Sequence, residues 1–254
     1  MVDPFVIVLL AVTAFLAGTV DAMAGGGGLI TVPALLAAGL PPHLAYGTNK
    51  GQSVWGSGAA MVTFWRRGRI DRRQAGLTFP LGMAGAALGA RLVLLLDNET
   101  LRPIAIAMLI GAAVLMIVKK PARDEDAPGA HAERYLTLAG VLAFAIGAYD
   151  GFFGPGTGTF LIVGFVALCG MGLTRATAEA KVVNFASNLA SLTTFAIAGT
   201  VVWEVALPMA AGQLAGGVIG ARLAIRGGAR LIRIAVLVVS GALVVKLAVD
   251  LVAR

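Results

Sequence analysis

The sequence predicts an all-α integral membrane protein of two homologous, inverted repeats, and three observations predict it. First, hydrophobic residues make up 58% of the 254-residue chain and charged residues 13%, with a mean hydropathy of +0.88. A soluble domain carries about 25% charged residues. The polar side chains here are too few to cover a water-facing surface, and lipid is the solvent that fits. Second, apolar stretches near the roughly 20 residues a spanning helix needs follow one another, separated by short charged or Gly/Pro-rich breaks. Third, the chain repeats itself.

The repeat is read from matched residues. Gly18, Asp21, Gly25 and Gly27 recur 129 residues later as Gly147, Asp150, Gly154 and Gly156. After a two-residue slip the offset is 131, and Ala45, Lys50, Thr63-Phe64, Gly68 and Arg102 match Ala176, Lys181, Thr194-Phe195, Gly199 and Arg233. The clearest block is AGAALGARL, Ala84 to Leu92, against AGGVIGARL, Ala215 to Leu223. Residues 1–118 form the first repeat, 119–134 a polar linker and 135–254 the second repeat.

Each repeat reads as four apolar segments, about eight in all. In the first they are 4–38, broken by glycines at 25–28, then 44–64, 75–96 and 101–118. In the second they are 135–170, broken at 154–158, then 175–198, 201–225 and 231–252. The stretch after Met1 has no basic n-region, so it is read as membrane segment rather than as a signal peptide. The 34 glycines suit close helix packing in lipid. The run Gly212 to Gly217 could pack the repeats or a homodimer.

The basic residues set the orientation. The net charge of +7 would suggest nucleic acid in a soluble protein. Here it sits mostly in loops, where the positive-inside tendency explains it and a nucleic-acid partner is not implied. Arg66, Arg67, Arg69, Arg72 and Arg73 mark one cytoplasmic loop, and Arg226, Arg230 and Arg233 mark another. Eight simple crossings would put those loops on opposite sides. If segments 4–38 and 135–170 are re-entrant hairpins folded at their glycine breaks, both loops, the linker and Arg175 fall inside. Asp97, Glu99, Arg102 and Glu204 then fall outside. Inverted repeats with broken helices are a recurring transporter plan.

The two breaks are the first candidate site. Gly25, Gly26, Gly27 and Gly28 precede one short helix; Gly154, Gly156, Thr157 and Gly158 precede the other. Non-helical backbone at membrane depth is tolerated inside protein or beside a water-filled cavity. The free N–H groups of a helix start favour an anion; alternatively, the glycines serve close packing alone. Asp21, Lys50, Asp150, Lys181, Arg91 and Arg222 lie within apolar segments or at their ends, where a charge needs a partner or a cavity. Lys50 and Lys181, with Thr48, Asn49 and Asn184, either hold an anion or pair statically with Asp21 and Asp150. Asp21 and Asp150 suit proton coupling; an aspartate dyad activating water is the enzymatic alternative. Arg91 and Arg222 read as interface anchors, as do Trp65 and Trp203, while Trp55 lies deeper. His43 and His131 fall in loops, and Cys169 in an apolar run. No cofactor or metal is implied: the sequence lacks HExxH and zinc or copper ligand sets, and Gly154-Pro155-Gly156-Thr157-Gly158 lacks the ending of a Walker loop.

These residues carry a resemblance. DAMAGGGGLITVPALLAAGLPPHLAYGTNK, Asp21 to Lys50, resembles the first signature of the TauE/SafE sulfite exporter family. GFFGPGTGTFLIVGF, Gly151 to Phe165, and ATAEAKVVNFASNLASL, Ala176 to Leu192, resemble the second. The similarity covers nearly the whole chain except the linker. It departs at Ala45-Tyr46-Gly47-Thr48-Asn49, where the family commonly shows Ala-Thr-Asn. The resemblance implies a multi-pass protein of the inner (cytoplasmic) membrane that moves small organosulfur or sulfur oxyanions such as sulfite, sulfoacetate and related sulfonates, often as an exporter. The expected site lies at the midplane between the two hairpin tips, with alternating access by rocking of the repeats. A passive anion channel is the alternative within transport.

Overall fold

In the computed structural model, residues 3–101, 103–104, 107 and 133–252 are described, with side chains to residue 234 except those of 133, 134 and 233. Most of predicted segment 101–118, most of the linker, Arg102 and His131 lie outside the described residues. Those described are helical throughout, with short turns and no strand.

The caps show why the helices start and stop where they do. Helix α1, Pro4–Ala24, starts at Asp3, whose carboxylate accepts the Phe5 N–H at 2.7 Å, with Pro4 at the first position. It ends at Gly25, which is left-handed at φ 78°. Helix α2, Gly28–Ala37, returns the chain. Helix α3 spans Pro42–Arg66, and α4, Arg72–Leu94, is capped by Asp71 accepting the Arg73 N–H at 2.8 Å. Helix α5 is Glu133–Phe152, α6 Thr157–Cys169 and α7 Leu173–Ile197. Helix α8, Trp203–Val252, bends at Gly228, between the two predicted segments 201–225 and 231–252.

Among the described residues, α1, α4 and residues 135–152 of α5 are long and apolar enough to cross a membrane. With the family relationship given below, they make this a multi-pass membrane protein. Helices α3 and α7, 25 residues each, are long enough but more polar. Both bury polar side chains: Thr48, Asn49, Lys50, Gln52 and Ser57 on α3, and Glu179, Lys181, Asn184, Ser187 and Asn188 on α7. A membrane chain spends polarity on its interior when the interior has work for it.

The halves interlock by exchange. Helix α1 packs on α8 and α5 on α4, so the first helix of each half lies against a long helix of the other. Backbones approach closely along both seams. A Cβ on Gly216 would stand 2.2 Å from the Phe15 carbonyl oxygen, and one on Gly89 would stand 2.0 Å from that of Ala148. Small residues permit such contact without lipid-hostile gaps. Gly212 and Gly216 thus pack α8 onto α1 within the chain.

Two ends can be distinguished. At one, Leu10 of α1, Leu35 of α2, Leu40, Ala45 of α3 and Met209 of α8 cluster. The start of α1 and the end of α2 therefore share an end, and α1–α2 is a hairpin. At the other, Phe64, Tyr135, Ala139, Cys169, Leu173 and Ile232 cluster, so the start of α5 and the end of α6 lie together near the end of α3. There Asp71 lies 3.6 Å from Arg175, and the Asp71 N–H donates to buried Glu179 at 2.7 Å. Arg66 to Arg73, Arg175 and the α8 bend share this end. One expectation is corrected: His43 is not in a solvated loop. It sits in the first turn of α3, half-buried, with Nε2 3.2 Å from the Val93 carbonyl oxygen, where it ties α3 to the end of α4. Trp55, Trp65 and Trp203 are 49%, 43% and 45% exposed, as belt residues are, so Trp55 stands apart from the site.

Candidate functional site

The two hairpin tips cross. The Thr159 N–H donates to the Gly25 carbonyl at 2.9 Å, and the Thr159 hydroxyl donates to the Ala24 carbonyl at 2.7 Å. A Cβ on Gly25 would lie 2.2 Å from the Gly158 carbonyl carbon, and one on Gly158 would lie 2.5 Å from Gly25 Cα. Backbone touches backbone, which explains glycine at both places. Tyr149 donates to the Pro155 carbonyl at 2.6 Å and steadies the second tip.

Each tip carries an aspartate, and each aspartate meets the lysine of the other half. Lys50 Nζ lies 2.8 Å from Asp150 Oδ1, with both side chains 3% exposed. Lys50 also donates to Asn188 Oδ1 at 3.1 Å. Asp150 further accepts from the Thr157 hydroxyl at 2.8 Å and from Ser187. Lys181 Nζ lies 3.6 Å from Asp21 Oδ2 and donates to the Asp21 backbone carbonyl. Asp21 accepts from the Gly27 N–H at 3.1 Å, capping α2, and from Asn184 Nδ2 at 3.2 Å. Two buried ammonium groups and two carboxylates leave the site formally neutral. Burying such charges is tolerated because each is paired and hydrogen-bonded.

Between the tips is a polar cavity of about 20 Å³, room for one water. Asp21, Asn49, Lys50, Asp150, Thr157 and Asn184 line it, with Gly25, Gly27, Gly28, Gly154, Gly156 and Gly158 supplying backbone. The helix starts of α2 and α6 face it. Among the described residues the Gly28 and Gly158 N–H groups have no protein acceptor. Three expected residues do not line it. Thr48 turns away, and its hydroxyl accepts the Val202 N–H at 3.0 Å. Gly26 is off the wall, and Lys181 stands behind Asp21.

Sequence reasoning missed Ser53, Asn188 and Gln213, which also line the cavity. A signal existed for two of them. In the 131-residue register Ser53 matches Asn184 and Ser57 matches Asn188. Both pairs lie on the Lys50 and Lys181 faces at helical spacing. Gln213 matches Gly82 and carried no such signal; its side chain reaches into the gap left by Gly18 and Gly56. Among the described residues no three His, Cys, Asp or Glu side chains come together as a metal site.

A family profile described as "Sulfite exporter TauE/SafE" matches residues 10–247. The chain is 41% identical over 241 residues to the "Probable membrane transporter protein ORF9" of a Sinorhizobium species, covering 95% of this chain and 92% of that one. It is 38% identical over 251 residues to "Probable membrane transporter protein YfcA" of Escherichia coli K12, covering 98% and 92%. A more distant relative is the "Probable membrane transporter protein YunE" of Bacillus subtilis, 25% identical over 240 residues, with 85% and 88% covered. No solved structure matches. With both signature stretches at the crossed tips and the profile covering nearly the whole chain, the protein belongs to the TauE/SafE sulfite exporter family of membrane transporters.

Proposed function

We propose that this protein is a secondary transporter that moves small sulfur oxyanions, sulfite or short sulfonates, with a proton across the inner membrane through the cavity between the crossed tips, as an exporter whenever the outward anion gradient exceeds the inward proton gradient. The observation that carries the proposal is the exchanged pairing, Lys50 with Asp150 and Lys181 with Asp21. It lets a proton and an anion enter together. With both pairs intact the cavity is neutral and holds an anion weakly. A proton on Asp21, the more exposed carboxylate, leaves one net positive charge beside the Gly28 and Gly158 N–H groups, where an oxyanion is then stabilised.

The two halves act as inverted repeats. Arg66 to Arg73, Arg175 and the α8 bend lie on the cytoplasmic side, in accord with the positive-inside tendency. About 20 Å³ is too small for a tetrahedral oxyanion. Loading therefore requires the tips to part, and rocking of one repeat on the other opens the cavity to each side in turn. A lysine on each aspartate favours this reading over an aspartate dyad, which needs carboxylates facing one another. Coupled flux distinguishes it from a passive channel.

The test is flux of labelled sulfite and sulfoacetate in proteoliposomes, with and without a proton gradient. Saturable, gradient-dependent flux of one of these anions is expected. No anion flux from folded protein contradicts the proposal, and unsaturable flux indifferent to the gradient makes the protein a channel.

A further inference from the structure

A second, larger cavity lies outside the site. It is a groove of about 810 Å³ between α3, α7 and α8. Its length is apolar: Val54, Val62, Phe185, Leu189 and Leu214 line it. One end is basic. Arg66, Arg67 and Arg222 close it, all three exposed, and among the described residues no carboxylate lines the groove. That end is where α3 stops, at Arg66, and where the α8 side of the lining reaches from Leu214 to Arg222.

We propose that this groove is a specific site for an anionic phospholipid, with the headgroup phosphate held by Arg66, Arg67 and Arg222 and an acyl chain laid along α3. Three features point to that occupant. The length fits: from Val54 to Arg66 the groove runs roughly 18 Å along α3, close to the roughly 15 Å that one leaflet contributes to the hydrocarbon core. The charge fits: guanidinium groups bind phosphate in a bidentate fork, and basic residues at the membrane surface attract anionic lipid. The placement fits as well. In the 131-residue register Arg222 is matched by Arg91, but Arg66 and Arg67 are matched by Ile197 and Ala198. The positive-inside tendency accounts for arginines at this end and not at the other; what points to a ligand is that Arg66 and Arg67 join Arg222 at the mouth of one apolar groove.

The inference rests on membrane placement and is independent of what is transported. Its test is native mass spectrometry of the full-length protein, mixed in detergent with equal amounts of phosphatidylglycerol and phosphatidylcholine of identical chains. Phosphatidylglycerol should be retained at least tenfold over phosphatidylcholine. The R66Q/R67Q/R222Q variant should lose that preference. Because removing arginines can disturb insertion, a second variant, Ala59→Phe, fills the groove and leaves every charge in place. It should lose bound lipid with an unchanged circular dichroism spectrum. Equal retention of the two lipids, or undiminished phosphatidylglycerol in both variants, overturns the proposal. So does efficient disulfide cross-linking between two chains through Val62→Cys in a Cys169→Ala background, which would make a second copy the occupant.

Discussion

The two ion pairs occupy matched positions in the sequence register, yet they differ. Lys50 and Asp150 meet at 2.8 Å, with both side chains 3% exposed. Lys181 and Asp21 are 3.6 Å apart, and Asp21 is 19% exposed. The register explains the difference. Thr157 and Ser187, whose hydroxyls hold Asp150, match Gly28 and Gly56, which have no side chain to offer. Gln213 moves into the space beside Gly56 and does not replace those donors. Two differences between matched positions, Thr157 against Gly28 and Ser187 against Gly56, hold one carboxylate by two hydroxyls and leave the other without them.

The strongest way to break the comparison is at the crossing, which both tips share. Gly25→Ala places a Cβ 2.2 Å from the Gly158 backbone at φ 78°, and the tips cannot cross. Folded protein in the membrane and all flux should be lost. Gly39→Ala is the control: its φ is 89° with nothing within 4 Å. It should cost only the left-handed penalty of about 1–2 kcal/mol, read as a modest shift in thermal melting.

The next effect separates the two aspartates. Asp150→Asn strands the Lys50 charge in a site that water scarcely reaches, and breaking such a pair costs about 3–5 kcal/mol. Asp21→Asn should cost about 1–2 kcal/mol, because the pair is longer and partly exposed and Lys181 keeps its backbone carbonyl. The functional outcomes should differ in kind. Asp150→Asn lowers flux along with stability. Asp21→Asn, a permanent mimic of the protonated form, should bind anion with little dependence on pH and lose coupling to the gradient. Equal melting losses in the two variants would remove the distinction drawn here.

Ser187→Ala should loosen Asp150 toward the state of Asp21. A hydrogen bond to a charged group contributes about 1.5–3 kcal/mol, and thermal melting reads its loss. The smallest effect is expected at Thr48→Val. It removes the bond to the Val202 N–H, about 1 kcal/mol, and should leave the flux rate intact.

That last case shows where the sequence was legible and where it was not. The helix breaks at the glycines and the charged Asp and Lys residues within apolar segments are legible in composition and repeat register, since each leaves a local mark. Thr48 stands two residues from Lys50 in sequence, but residues two apart lie on nearly opposite faces of a helix. Which lysine meets which aspartate is a long-range fact. It depends on the exchange of α1 and α5 between halves, and no local pattern encodes it. Gln213 and the placement of Lys181 behind Asp21 follow from that same exchange.

The most direct test of the central claim is protection at the cavity wall. In a Cys169→Ala background, Ser53→Cys places a thiol among the lining residues, and iodoacetamide alkylation measures its accessibility. Sulfoacetate is the suitable anion, because sulfite reacts with many thiol reagents. Saturable slowing of alkylation, half-complete at the concentration that half-saturates flux, is predicted. Flux that continues while alkylation is unchanged at saturating anion would place the substrate elsewhere and contradict the account.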